Sequence, residues 1–330
     1  MTIEDTAPDA PEVSTCRLDL TRAEQTELRA LAEQLVRTPP GLLDDPRWLT
    51  RARHLTCHLP RRLSEAIRSF RHDPDDGGAL LVSGLPIDPE ALPETPRLPE
   101  SVDRTASPHS AASVLIGLHL GELVSYRQEK GGALVQNVVP VPGLERSQSN
   151  AGSAPLEFHV ENVFHPCRPD YVGLTCLRPD HEQNAGTLVS SIRHVLPHMS
   201  ETDQKVLHQA RFVTSPPPSF RTGAPTPAHP VLVGSWDDPD VRLDFNATKA
   251  LDDEARQVLE RMRAVVAETA LSVRLNTGEM VIVDNRLLMH GRAPFVPRYD
   301  GRDRWLQRIF VHLDNRRTRE HRAGNGAVID

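Results

Sequence analysis

The stretch that decides the fold is Leu156-Glu157-Phe158-His159-Val160-Glu161-Asn162, near the middle of the chain. Polar and apolar side chains alternate in it, which indicates a half-buried β-strand whose alternate residues face the same side. His159 and Glu161 would therefore project together, while Phe158 and Val160 would face the packed side. Such a strand presents two candidate metal ligands side by side on a rigid element.

Short segments of this kind dominate the chain from Ala133 onward, and glycine and proline separate them. Strands are predicted at about 79–82, 133–139, 156–164, 171–177, 186–192, 209–214, 230–234, 241–245, 279–284 and 304–312. Helices are predicted from a capping box at Thr21 and Glu24, and at about 59–70, 111–123 and 252–271. The pattern favours a mainly β fold with flanking helices, an α+β protein with a sandwich or jelly-roll core, over a parallel α/β sheet.

The composition is that of a globular protein without a nucleic-acid or membrane partner. The 330 residues are 25% charged and 38% hydrophobic, with a net charge of −7 and no basic stripe. No apolar run is long enough to cross a bilayer, and the acidic N-terminus lacks the pattern of a signal peptide. Four cysteines without a Cys-x-x-Cys spacing predict reduced thiols in a cytoplasmic protein and no structural zinc.

The chain is predicted to fold as one domain over residues 16–317, with a helical N-terminal part and a β core. Residues 1–15 are expected to be disordered, and the polar, Gly-containing residues 318–330 are expected to form a flexible tail. The Pro-rich segment 215–230 lies between two predicted strands and is a candidate lid, with an ordinary surface loop as the alternative.

A third candidate ligand, His290, follows a predicted strand and a short turn near the other end of the chain. Two histidines and one carboxylate are the ligand set of mononuclear non-haem iron(II) sites that keep positions open for substrate and oxygen. Arg304 and Arg308 come soon after and would share one face of a strand. Buried arginines are costly unless an anion pairs with them, and guanidinium groups bind carboxylates in bidentate geometry. The conjunction indicates an oxygenase that uses an acidic co-substrate.

Taken in order, the motifs resemble the clavaminate synthase-like group of Fe(II)/2-oxoglutarate oxygenases. Within it, the amino-acid β-hydroxylases of peptide-antibiotic biosynthesis are the most similar, arginine hydroxylases and asparagine oxygenases among them. The resemblance covers about Leu80 to Val311. The matching stretches are Gln128–Gly132, Leu156–Asn162 with Phe164–Pro166, Cys176–Glu182, His290–Arg292, Pro297–Gly301, Arg304 and Arg308.

The resemblance implies a double-stranded β-helix core and a dioxygenase that consumes 2-oxoglutarate and O2. By position in the family motifs, His159, Glu161 and His290 would hold Fe(II). Arg304 would pair with the distal carboxylate of 2-oxoglutarate, and Thr187 would assist.

The same resemblance implies a small-molecule amino-acid substrate. Arg308 would pair with its α-carboxylate, and Gln128 would hold its α-amino group. Ser149, Asn150 and the iron ligand Glu161 fall where relatives contact the substrate, and Asp244 falls where they bind the end of its side chain. Glu161 is absent from halogenating relatives, so its presence here favours hydroxylation, with Cβ as the expected position.

One departure from the family pattern leaves the substrate open among asparagine-like, arginine-like and lysine-like amino acids. Arginine hydroxylases carry two acids that clamp the guanidinium, whereas this chain has Arg242 at the earlier position and only Asp244 at the later one. Asp237 or Asp238 could replace the missing acid from the preceding loop.

Three other functions remain open from the sequence. A desaturase would use the same ligand set. A jelly-roll isomerase or hydrolase could hold zinc or manganese with these ligands and would not need 2-oxoglutarate. A non-catalytic binding module would tolerate the loss of a ligand. The sequence makes no prediction of oligomeric state.

Overall fold

The N-terminal third is mainly helical, and the rest of the chain is mainly sheet. The structure, a computed structural model, describes residues 16–220 and 224–330, so the expectation for residues 1–15 lies outside the described residues. The helices are α1 (Arg22–Val36), α2 (Pro46–Leu55), α3 (Arg61–His72), α4 (Pro108–Leu120), α5 (Ile192–Val195), α6 (Glu201–Leu207) and α7 (Asp253–Glu268). No helix of the described segments is long and apolar enough to cross a membrane.

The strands follow the predicted sequence of short segments. They are β1 (Cys16–Asp19), β2 (Ala79–Ser83), β3 (Val102–Asp103), β4 (Glu122–Tyr126), β5 (Val135–Val138), β6 (Leu156–His159), β7 (Tyr171–Arg178), β8 (Thr187–Ser191), β9 (Phe212–Thr214), β10 (Leu232–Gly234), β11 (Pro239–Val241), β12 (Thr248–Ala250), β13 (Leu271–Val273), β14 (Glu279–Asp284), β15 (Leu288–Arg292), β16 (Trp305–His312) and β17 (Val328–Ile329).

Two sheets form the centre of the part that the structure describes. The larger has nine strands in the order β1-β2-β14-β7-β16-β4-β17, with β5 beside β16 and β3 beside β5. The smaller has the order β13-β8-β15-β6. Leu174 and Phe310 from the larger sheet share a buried cluster with Val189 and Leu288 from the smaller one, so the two sheets pack face to face. The fold is thus mixed α+β and rich in sheet, as the sequence predicts.

The helices cover the outer faces of both sheets. α1 to α4 bury side chains such as Leu28 and Leu115 in one cluster with Ile282 and Ile309 of the larger sheet. α5 to α7 form another cluster with Met289 of β15. Leu288 and Met289 lie on opposite faces of β15, with Leu288 packed between the two sheets. Because alternate residues of a strand share a face, His290 points into the space between the sheets on the same side as Leu288.

The capping box at the start of α1 is confirmed, because the Thr21 hydroxyl accepts from the Glu24 N–H and the Glu24 carboxylate accepts from the Thr21 N–H. Helix α2 is missing from the sequence prediction. Asp45 caps α2, and the buried Trp48 within it donates its indole N–H to the Leu35 carbonyl at 3.0 Å.

Three expectations need correction. His290 lies inside β15 and not just after a strand. The strands expected at 156–164 and 241–245 end at His159 and Val241, because the chain turns directly afterwards, with Asn162 at a φ of 50°. Residues 318–330 are not a loose tail, because β17 pairs in parallel with β4 and its Ile329 is fully buried.

Candidate active site

The structure brings His159, Glu161 and His290 together between the two sheets. His159 on β6 is the direct cross-strand partner of His290 on β15, and the two ring centroids lie 4.5 Å apart. Glu161 follows just beyond the end of β6, with its Oε1 3.7 Å from His290 Nε2. One ligand atom from each residue lies within 4.8 Å of the others, which is close enough for all three to bind one ion. Val160 packs on the opposite side, as the strand alternation predicts.

The chemistry of these groups fits a divalent metal ion. His159 Nδ1 lies 2.9 Å from the Glu157 carbonyl, an arrangement that fixes the ring and leaves Nε2 for a metal. Burial, reinforced by His159, lowers the pKa of His290 and keeps that ring neutral. Burial opposes ionisation of Glu161, but the adjacent Arg308 guanidinium outweighs it and holds the pKa of that carboxyl well below its usual range. Two imidazoles and a carboxylate are the donors that non-haem iron(II) takes.

Arg308 lies beside this cluster with its guanidinium in a dense set of acceptors. It donates to Glu161 Oε1 at 2.7 Å, to Gln136 Oε1 at 2.5 Å, to Asn150 Oδ1 at 3.4 Å and to the carboxylate of Glu129. The Nε of Arg308 and the Oε2 of Glu129 are buried without a partner among the described residues. A positive and a negative group, each with an unused atom, therefore lie side by side, and both residues line the cavity described below.

Arg304 is a buried cation with no carboxylate within ion-pair distance in the described part of the chain. Its guanidinium lies 5.7 Å from the centre of the Phe295 ring, and burial lowers its pKa. Together with Thr187 and His290 it lines a small cavity between the sheets. The cost of burying an unpaired guanidinium fits a place for an anionic ligand next to the metal ligands.

A cavity of about 540 Å³ opens on the other side of the metal ligands. Ser149, Asn150, Asp244 and Arg308 line it, and so do residues 215–220 of the Pro-rich segment. One carboxylate oxygen of Asp244 accepts from the backbone N–H groups of Asn246 and Ala247 at 2.7 and 3.0 Å. A carboxylate accepts hydrogen bonds and donates none, so Asp244 offers the cavity an acceptor.

Gln128 is not part of this site. It lies in an exposed turn after β4 and does not line the cavity, whereas its neighbour Glu129 does. Gln136 contacts Arg308 because β5 pairs with β16 and sets these two residues directly opposite each other. Neither Glu129 nor Gln136 is predicted from the sequence as a site residue. Glu129 could have been identified, because it is the acid within the motif Gln128–Gly132. Gln136 could not, because its contact with Arg308 depends on the pairing of two strands that lie far apart in the sequence.

The other charged residues considered for the substrate side chain lie away from the cavity. Arg242 donates its Nε to the Val163 carbonyl at 3.1 Å. Asp238 forms an ion pair with Arg193, and Asp237 is exposed and does not line the cavity. Asp244 is thus the acid of the segment 237–244 that lines the cavity.

The sequence and structure of known proteins agree with this geometry. The family model described as taurine catabolism dioxygenase TauD, TfdA family, matches residues 50–310. The chain belongs to the TauD/TfdA dioxygenase family. This dioxygenase is 44% identical to L-asparagine oxygenase from Streptomyces coelicolor, over 94% of this chain and 93% of that protein. It is 33% identical to clavaminate synthase 2 from Streptomyces clavuligerus, over 87% of this chain and 90% of that one.

Among solved structures, this dioxygenase is similar to asparagine oxygenase in complex with Fe(II), 2S,3S-3-hydroxyasparagine and succinate. The TM-score is 0.93 and the identity 42%, over 95% of this chain and 98% of that chain. The resemblance stated from the sequence motifs is confirmed. The dioxygenase depends on Fe(II) and 2-oxoglutarate, as members of this family do.

Proposed function

We propose that this dioxygenase hydroxylates a free L-amino acid with a short polar side chain, L-asparagine before arginine or lysine, at Cβ. The observation that carries the proposal is the pair of unused buried atoms at one end of the cavity, Glu129 Oε2 and Arg308 Nε. An amino-acid zwitterion matches them, with its ammonium on the carboxylate and its carboxylate on the guanidinium. Glu129 takes the place first given to Gln128.

Asp244 would select the end of the substrate side chain. Two backbone N–H groups occupy one of its oxygens and leave the other to accept from an amide NH2 group, whereas a second carboxylate would be repelled. An arginine side chain would call for the two acids that its hydroxylases carry, whereas among the described residues Asp244 is the acid left for the side chain once Glu129 binds the ammonium group and Glu161 binds the metal. Ser149 and Asn150 line the wall between the two ends and would contact the substrate there.

His159, Glu161 and His290 would hold Fe(II), which with 2-oxoglutarate supplies the activation of O2 needed to hydroxylate a C–H bond. Arg304 and Thr187 would hold the distal carboxylate of 2-oxoglutarate. Arg308 and Glu129 would orient the amino acid so that Cβ faces the metal. Because Glu161 fills its ligand position with a carboxylate, the site favours hydroxylation over halogenation.

Residues 215–220 would act as part of a lid that excludes water from the cavity. Phe220 is buried at the end of this segment, with its ring 4.7 Å from that of Phe164. The proposal also includes a double-stranded β-helix core formed by the two facing sheets, a single domain that begins at about residue 16 and includes the C-terminal residues paired with β4, a cytoplasmic location and a role in natural-product biosynthesis.

The test is a screen of the free proteinogenic amino acids with the Fe(II)-loaded protein, 2-oxoglutarate and ascorbate in air, followed by mass spectrometry. We expect L-asparagine to gain one oxygen, and we expect 2-oxoglutarate to yield succinate in an amount equal to that of the hydroxylated product. A product two hydrogens lighter would indicate a desaturase. Consumption of an amino acid without any succinate would contradict the proposal and favour a metal-dependent isomerase or hydrolase.

A further inference from the structure

Glu161 lies two residues beyond the end of the strand that carries His159. Strand β6 ends at His159, and the Val160 N–H donates to the Leu243 carbonyl at 2.9 Å. From Glu161 onward the chain turns, and within residues 16–220 and 224–330 no strand pairs with it there. The two histidines are fixed by the ladder between β6 and β15, but Glu161 lies outside it.

The side chain of Asn285 takes the place of a neighbouring strand. Its Oδ1 accepts from the Glu161 N–H at 2.7 Å, and its Nδ2 donates to the Glu161 carbonyl at 3.1 Å. The same Nδ2 donates to the Pro169 carbonyl at 2.9 Å, and Asn285 is fully buried. One amide thus satisfies both the N–H and the C=O of the residue that carries the carboxylate ligand.

Asn285 also stands in the turn that leads to the third ligand. That turn joins the end of β14 at Asp284 to the start of β15 at Leu288, and β15 carries His290. The Asn285 N–H donates to the Asp170 carbonyl at 2.8 Å, which ties the turn to the loop before β7. A single residue therefore links the backbone of Glu161 to the connection that places His290.

We infer that Asn285 is a positioning residue of the metal centre, which sets Glu161 relative to His290 through paired hydrogen bonds to the Glu161 backbone. The inference rests on the proposed role of Glu161 as a metal ligand. Among the side chains of similar size, only an amide offers both a donor and an acceptor in this geometry. Aspartate has nearly the same shape but would set a carboxylate against the Glu161 and Pro169 carbonyls.

The test measures metal affinity and not turnover. Anaerobic calorimetric titration with Mn²⁺, a redox-stable stand-in for Fe(II), would compare the wild-type protein with Asn285→Asp. We expect binding to weaken about 10- to 100-fold, the usual range for loss of a group that orients a metal ligand. Asn137→Asp is the matched control, because Asn137 is equally buried and pairs with Asp103 and Trp305 away from the cavity. The Mn²⁺ affinity of Asn137→Asp should lie within about twofold of the wild-type value, because distant sites contribute independently.

A double-mutant cycle separates positioning from general loss of structure. If Asn285 acts through Glu161, then Asn285→Asp should weaken Mn²⁺ binding in the wild type but add little in a Glu161→Ala background. Wild-type affinity in Asn285→Asp, or an equal added loss in the Glu161→Ala background, would overturn the inference. If Asn285→Asp does not fold, Asn285→Ser takes its place under the same criteria. Wild-type affinity in Glu161→Ala alone would instead contradict the proposed metal site.

Discussion

Arg304 lies in a position where its charge destabilises the fold unless an anion binds to it. It is 7% exposed, has no carboxylate within 4.0 Å in the described segments, and burial lowers its pKa. An unpaired buried charge destabilises a fold, whereas an apolar residue of similar length is tolerated there. The guanidinium is therefore best explained by a dicarboxylate that binds against it.

Replacing Arg304 with methionine should separate these two effects. We expect Arg304→Met to unfold at the same temperature as the wild-type protein or a higher one, with a gain of about 1 kcal/mol. It should also lose the added stability that 2-oxoglutarate with Mn²⁺ gives the wild type, as thermal melts would measure. Arg322→Met is the control, because the buried Arg322 donates to the carbonyls of Asn315 and Gly326 and its loss should only destabilise. Full stabilisation of Arg304→Met by 2-oxoglutarate would contradict the role.

Asp244→Asn should change which side chain is accepted. The substitution adds a donor where the wild type only accepts, so we expect kcat/KM for L-asparagine to fall about tenfold or more, relative to L-aspartate. The KM for 2-oxoglutarate should stay the same. Steady-state kinetics with both amino acids measures this, with Asp238→Asn as the control because Asp238 pairs with Arg193 outside the cavity. An unchanged ratio would remove Asp244 from the specificity site.

At the level of residues, local patterns predict the metal ligands but not all of their neighbours. The alternation around His159 places Glu161 on the same face, and it depends on adjacent residues only. Gln136 reaches Arg308 through the register of β5 against β16, which no local pattern contains. The sequence motif instead points to Gln128, which the structure places in an exposed turn.

At the level of elements, Arg292 connects the strand that carries His290 to the segment 149–154 on the cavity wall. It is buried, and its guanidinium donates to the Ala154 carbonyl at 2.9 Å and the Ser149 carbonyl at 2.9 Å. A Cβ at Gly152 would lie 2.8 Å from Arg292 Nη2 and 2.2 Å from the Ser147 carbonyl oxygen. Glycine is thus required at 152 for this segment to close around Arg292.

Arg292→Gln should loosen the wall of the cavity without touching the reacting atoms. We expect the KM for the amino acid to rise about tenfold, equivalent to about 1.4 kcal/mol, with a smaller change in kcat. Initial-rate kinetics at saturating 2-oxoglutarate checks this. Arg322→Gln removes a comparable set of bonds to carbonyls far from the cavity and should leave KM unchanged. An equal rise in KM for both variants would mean that only stability had been lost.

Element boundaries show where sequence patterns fail. Strand β6 stops at His159 because the backbone turns at Asn162, although the alternating pattern continues. The C-terminal residues pair with β4 through Val328 and Ile329, too short a stretch to stand out within a polar tail. Helix α2 is rich in arginine, and its apolar face becomes evident only once it packs on α4 and α1.

At the level of the whole molecule, buried histidines should make stability depend on pH. His312 is fully buried, and burial lowers its pKa to about 4. In the unfolded chain the imidazole binds a proton below a pH of about 6.5. In the folded protein it stays neutral until the pH approaches 4. The contribution of the neutral His312 to the free energy of unfolding is therefore fully present above a pH of about 6.5 and is lost as the pH falls towards 4.

We expect the free energy of unfolding to be on the order of 1–2 kcal/mol lower at pH 5 than at pH 8 on account of His312. Urea unfolding at the two pH values measures the difference. In His312→Gln the dependence on pH should be shallower, because one titrating group is gone. A variant with the same pH dependence as the wild type would contradict the assignment to His312.

The central claim is that the Fe(II) site uses 2-oxoglutarate and O2 to hydroxylate an amino acid held between Arg308 and Asp244. The most direct measurement is a single reaction of the Fe(II)-loaded protein with L-asparagine and 2-oxoglutarate under ¹⁸O2. We expect equal amounts of succinate and hydroxyasparagine, each with one labelled oxygen. Succinate formed at the same rate without any amino acid, or an unlabelled and unchanged asparagine, would contradict the account.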